Sequence, residues 1–176
     1  MHTHRRGVLG VFATAGAAPW LGAVPAMASA RPSVDIASVM RQFHENYNRN
    51  EIDRSGELVV DDVVADINGG AGNGSNGATH RGREAFIAWL KNDKVLFGAN
   101  RLVHQDLITQ GNMGAVRFYM EGTHVGPIPT PDGVIEPTGR RVTLEVTEFA
   151  TFNDEGKLVH VHTLYNTLGL LMQLKA

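Results

Sequence analysis

Two histidines one residue apart, His160 and His162, lie in the segment "KLVHVHTLYN", and a lone carboxylate, Glu148, sits in the apolar segment before it. An imidazole beside a carboxylate is a proton-handling pair. The carboxylate fixes the ring tautomer and raises its basicity, which suits removal of a proton next to a carbonyl. The intervening "NDEG" (Asn153 to Gly156) carries turn residues in the order a hairpin uses. With "DEG" as the loop, Phe152 faces Leu158, Ala150 faces His160, Glu148 faces His162 and Leu144 faces Asn166. Strand alternation then groups Val142, Leu144, Val146, Glu148, Ala150 and Phe152 on one face, where Glu148 is the single charge. Glu148 and His162 are therefore the expected catalytic pair, with His160 and Asn166 as ligand contacts on the same face. His160-x-His162 is also a spacing that strands use for chelation, with Glu148 as a third ligand. No further ligand converges on it in the sequence, and the reading assigns neither a metal nor a cofactor.

These residues need a scaffold. Ser33 or Asp35 can cap a first helix whose apolar face carries Ile36, Val39, Met40, Phe43 and Tyr47. A short helix and a strand ending near Asn68 follow. "GGAGNGSNGA" is a glycine-rich loop that lacks the Lys-Ser/Thr pair of a phosphate cradle. "REAFIAWLKNDKVLF" reads as a second long helix with Phe86, Trp89 and Leu90 inward. The remainder alternates strands and turns, so the pattern is α+β, with helices packed on one face of a curved antiparallel sheet. Tyr47 and Trp89, on the inner faces of the two helices, are expected to line a pocket. His124, between two glycines in "GTHVG", is expected at the pocket mouth. His104 and Asp106 alternate onto a common face of "RLVHQDLI", read as outer sheet surface or dimer contact.

Residues 1–30, "MHTHRRGVLGVFATAGAAPWLGAVPAMASA", have the form of an export signal: a charged start, a weakly apolar run and a small-x-small end at Ala30. Arg5-Arg6 before a Gly/Ala-rich run fits the twin-arginine route. Residues 31–176 then make one domain, expected in the periplasm or outside the cell with no stable membrane insertion. The 176 residues contain no cysteine, which excludes disulfides and thiolate metal sites. The net charge of −2 and the scattered basic residues exclude a nucleic-acid stripe.

Four motifs occur in order: "GTHVG" (Gly122 to Gly126), "PTGRRV" (Pro137 to Val142), "DEGKLV" (Asp154 to Val159) and "LGLLMQL" (Leu168 to Leu174). With "FHENYN" of the first helix, they resemble the SnoaL-like polyketide cyclases, or ester cyclases, of the NTF2-like superfamily. The resemblance implies a cone-shaped α+β barrel, a bent sheet wrapped around helices with a pocket open at one end, and dimers formed through the outer sheet face. In those cyclases an aspartate before the "LLxQL" tail is the acid/base residue, and its counterpart here is Asn166. An amide cannot carry that proton. The family also tends to have an acidic residue and a tryptophan on the final strand, where this chain has His160 and His162. The expected function is cofactor-free acid/base chemistry of a cyclase, isomerase or lyase type on a small hydrophobic or aromatic carbonyl compound. The alternatives are a ligand-binding protein without catalysis and a dimeric structural module, because this scaffold hosts many activities.

Overall fold

A computed structural model describes residues 34–70, 77–130 and 133–175. The expected export signal of residues 1–30 and most of the glycine-rich loop lie outside the described residues. What is described belongs to one compact unit, Ser33–Ala176.

Helix α1 spans Ile36–Asn48, and Asp35 caps it by accepting a hydrogen bond from the Ser38 amide at 3.1 Å. A short helix α2 (Ile52–Ser55) and a single 3-10 turn lead into strand β1, Val59–Ile67. Strand β2 (Ala78–Arg81) precedes helix α3 (Arg83–Leu96), and two long strands follow, β3 (Phe97–Gln110) and β4 (Met113–His124). Two three-residue strands, β5 (Ile128–Thr130) and β6 (Gly133–Ile135), form a small ribbon of their own. Strands β7 (Arg141–Phe152) and β8 (Leu158–Tyr165) and helix α4 (Thr167–Lys175) complete the order.

The main sheet runs β2-β1-β8-β7-β4-β3. Every pairing is antiparallel except β1 with β8, which is parallel. Helices α1 and α3 cover its concave face. Met40 and Tyr47 of α1, Phe86 and Leu90 of α3, and alternate residues of β4 and β7 such as Phe118 and Val146 form one buried cluster. This is the α+β arrangement that the helix and strand periods predict, and it has the cone form that the family resemblance implies.

Helix α4 closes the sheet where β8 has yet to pair. The first residues of β7 have β4 on one side only, and the Gln173 side chain occupies the other edge. Its Oε1 accepts from the Thr143 amide at 2.9 Å and its Nε2 donates to the Thr143 carbonyl at 3.0 Å. One glutamine thus stands in for a missing strand, while Leu170 and Leu174 of the same helix enter the core.

Three one-residue irregularities decide which side chains face inward. In β8, Leu158 pairs with Phe152 as expected, but His160 pairs with Thr151, leaving Val159 unmatched. From that bulge on, the expected register is displaced by one residue, and the whole face exchanges. Glu148 is opposite Thr163, not His162. Val161 and Thr163 are buried, while His160, His162 and Leu164 go to the convex side. In β3, His104 pairs with Phe118 and Asp106 with Arg117, so Gln105 is the extra residue. His104 consequently turns inward and Asp106 outward, where it meets Arg117 at 2.6 Å, correcting the shared outer face expected for the two. A third shift lies between Gly98 and Arg101, where Ala99 has φ of 51° and Asn100 is buried.

Candidate active site

Between the helices and the sheet lies a cavity of about 100 Å³ with mostly apolar walls, among them Phe43, Leu90, Phe118, Leu144 and Val146. Polar groups enter it at two stations.

The first station is built from α1, β3, β7 and β8. Glu148 is on the inner face of β7, as strand alternation predicts, and its partner is His44 of α1. His44 Nε2 lies 3.1 Å from Glu148 Oε2, and Thr163 donates its hydroxyl to Oε1 at 3.2 Å. Behind His44, its Nδ1 lies 2.5 Å from Nε2 of His104. Burial, followed by the charges of His44 and Arg41, holds the His104 imidazole below its ordinary pKa, so it is neutral at pH 7. With Glu148 ionised, two arrangements give each bond one proton. Either His104 donates Nε2–H to His44, which donates Nε2–H to Glu148, or a charged His44 donates Nδ1–H to His104 and Nε2–H to Glu148. In both, Thr163 donates to the other carboxylate oxygen. His44 is further held by edge-on contact with Phe118, ring centroids 4.8 Å apart.

The second station is built from α1, α3 and the β3 bulge. Tyr47 donates its hydroxyl to Asp93 Oδ2, and Asn100 Nδ2 donates to the Tyr47 oxygen at 2.6 Å. The Lys94 ammonium lies 3.9 Å from the centre of the Tyr47 ring and donates to the Asn100 carbonyl at 2.9 Å. Burial pushes the Asp93 carboxyl above its usual range. Burial and the neighbouring Asp93 carboxylate push the Tyr47 phenol far above its own, so it remains a donor at any physiological pH. The Tyr165 phenol, which also lines the cavity, is raised by burial and then by Asp93.

Of the residues singled out in the sequence, Glu148, Tyr47 and Trp89 line this cavity. The other four are elsewhere. His162 and His160 are on the convex face because of the Val159 bulge, and their rings contact each other at 4.3 Å. Asn166 is the exposed cap of α4: its Oδ1 accepts from the Gly169 amide at 2.9 Å, which directs the side chain along the helix and not into the cone. His124 is fully buried rather than at a pocket mouth, and its Nδ1 accepts from the Thr138 amide at 3.2 Å.

His44, Asp93, Thr163 and Tyr165 are the polar cavity residues not expected from the sequence. Two carried a signal. His44 is four residues after Met40 and three before Tyr47, within the apolar stripe of α1, and Asp93 is four after Trp89 on α3. Thr163 and Tyr165 face inward only through the bulge, for which the hairpin sequence gives no cue.

Comparison with known proteins agrees with this architecture. Among solved structures, IdmH of Streptomyces antibioticus, a candidate polyketide cyclase, is 23% identical with a TM-score of 0.65, covering 81% of this chain and 99% of its own. A SnoaL-like polyketide cyclase candidate from Jannaschia sp. CCS1 is 15% identical with a TM-score of 0.70, covering 83% and 96%. AclR of Streptomyces galilaeus, a candidate hydroxylase, is 18% identical with a TM-score of 0.64, covering 80% and 95%. At these identities the likeness establishes the fold alone. No match was found among curated proteins. The sequence pattern of one family, SnoaL-like polyketide cyclase, runs through residues 37–174, from the helix that carries His44 to the glutamine that braces β7. The chain belongs to the SnoaL-like polyketide cyclase family.

Proposed function

We propose that the protein catalyses cofactor-free acid/base chemistry, of a cyclase, isomerase or lyase type, on a small hydrophobic or aromatic carbonyl compound held in the cone. The observation that carries this reading is the Glu148 carboxylate inside an apolar cavity, oriented by His44 and Thr163. Such a carboxylate is a general base for a C–H bond activated by an adjacent carbonyl. The Tyr165 phenol, which lines the same cavity, is a donor suited to the oxygen that gains charge as the proton leaves, while the Tyr47 hydroxyl is already given to Asp93. The imidazole chain gives the acid half of the cycle. When the two Nε2 protons of His44 and His104 shift toward Glu148 and a proton enters at His104 Nδ1, the carboxylate becomes a carboxylic acid. In this reading His44 takes the role that strand alternation assigns to His162.

A non-catalytic binding protein is the second reading, and one observation favours it. The position matching the family's aspartate is Asn166, whose amide is committed to capping α4. One experiment separates the two. Aromatic β-keto esters are incubated with the protein in D2O, and exchange of the α-proton is followed by NMR. Catalysed exchange that disappears in Glu148→Gln supports the enzyme. Binding without exchange in either protein identifies a carrier.

Export through residues 1–30 and pairing of two chains through the convex sheet face belong to the same proposal. Ile108, Met113 and Phe149 are exposed together on that face, which supports pairing. Cell fractionation and light scattering on the purified protein test the two points.

A further inference from the structure

The Val159 bulge that removes His160 and His162 from the cavity assembles something on the other side of the sheet. Because β8 runs parallel to β1, Val64 pairs with His160 and Asp66 with His162. Asp66 therefore projects on the same convex face as both imidazoles. His160 Nε2 lies 2.8 Å from Asp66 Oδ2, the two rings are in contact, and one ligand atom from each of the three residues lies within 4.8 Å of the others. Ligands about 2 Å from a common ion stand roughly 3 Å apart, so the His160–Asp66 edge is already at coordination length and His162 has only a small closure to make.

The surroundings fit a ligand set. Thr79 of the neighbouring strand β2 donates its hydroxyl to Asp66 Oδ1 at 2.6 Å, which orients the carboxylate and leaves Oδ2 to the histidines. All three side chains are half-buried: rigidly based on paired strands, yet open to solvent on one side. That leaves positions for water. Glu148, the third ligand considered from sequence, is on the opposite face and takes no part.

We propose that Asp66, His160 and His162 form a surface binding site for a divalent transition ion of the zinc and copper class. Two imidazoles and one carboxylate select borderline ions over calcium and magnesium, which prefer oxygen alone, and no thiolate is present to favour softer ones. The site is separate from the cavity, so it stands whether or not the protein is an enzyme.

The test is titration of the full chain with Zn²⁺ by calorimetry, repeated with Co²⁺ by visible absorption. The protein carries His2→Ala and His4→Ala to remove the competing histidines at its start, and no affinity tag. One equivalent should bind. His160→Ala and His162→Ala should each weaken binding at least tenfold, Asp66→Asn should do the same, and Thr79→Val should weaken it about tenfold through loss of the orienting bond. His44→Ala, in the cavity, should leave the affinity unchanged, and Ca²⁺ or Mg²⁺ in excess should not compete. Zinc binding that survives the His160→Ala/His162→Ala double change, or no binding at all by a protein with an unaltered circular dichroism spectrum, overturns the assignment.

Discussion

His44 Nε2 and Glu148 Oε2 meet at 3.1 Å across the space between the first helix and the seventh strand, a bond between residues 104 apart in sequence. It ties the helical layer to the sheet at the cavity wall and fixes the direction of the carboxylate. Glu148→Gln keeps the volume, its oxygen can still accept from His44 and its amide NH2 can donate to the Thr163 hydroxyl oxygen, but it has no basic oxygen. The expected outcome is an unchanged melting temperature within a degree or two and a fall in α-proton exchange of about 10²–10⁴-fold. Exchange at the wild-type rate in this variant removes Glu148 from the chemistry.

The neutral His104 behind His44 makes stability depend on pH. Its folded pKa is below the unfolded value, so the unfolded chain takes up the proton first. Stability is then full above the ordinary histidine pKa and is lost as pH falls through it toward the folded value. His80, stacked on Trp89 at 5.5 Å, is shifted the same way by burial. Thermal melts from pH 8 to pH 5 should show a falling midpoint in the wild type. The fall should be shallower in His104→Gln and shallower again when His80→Gln is added.

Asp93 works in the opposite sense. Its folded pKa is raised by burial, so its contribution is full below the usual carboxylate range and is lost as pH rises through the folded value. Asp93→Asn retains an oxygen for the Tyr47 hydroxyl and removes the buried charge. Relief of even about 1 kcal/mol raises the melting midpoint by about 2–4 °C in a domain of this size. The gain over wild type should widen between pH 4 and pH 8. A variant that melts lower than wild type at pH 8 shows that the carboxylate's attraction to the nearby Lys94 charge outweighs the cost of burying it.

Gly122 marks where β4 passes close to the bulge that presents Asn100. A methyl group there would stand 2.8 Å from Asn100 Cβ and 3.2 Å from Phe97 Cβ. Gly122→Ala should destabilise by about 1–3 kcal/mol in urea unfolding. Because Asn100 donates to Tyr47, it should also disturb the second polar station, read as a shifted Tyr47 resonance or a weakened ligand affinity.

The helices and the apolar stripe of β7 were legible because their periods run uninterrupted: Met40, Phe43 and Tyr47 on α1, and Val142 through Phe152 on β7, all face the core as their spacing requires. Glu148 was found for the same reason. The histidines were not, because strand period two turns a single unmatched residue into an inversion of everything beyond it. Val159 moved His160 and His162 out, and Gln105 brought His104 in. Neither residue type announces a bulge: Val159 and Gln105 are what is left unmatched once the flanking residues pair. Asn166 illustrates the other limit. Its alignment with a family aspartate was readable, but its role as a helix cap depends on where α4 begins.

The parallel seam between β1 and β8 also sets how the chain must fold. Val64 and His160 are neighbours in that seam, and Val59 meets Leu158, so nearly a hundred residues must be made before β1 gains its inner partner. Until then β1 is joined only to β2, a four-residue strand. Pairings this distant raise contact order and slow folding. The hairpins β3–β4 and β4–β7 are complete earlier in synthesis, leaving an apolar strand edge exposed on each side of the gap that β8 fills. The closing step of assembly is therefore insertion of one eight-residue strand, and variants that weaken β8 should raise the yield of aggregated chain before they lower the stability of the folded one.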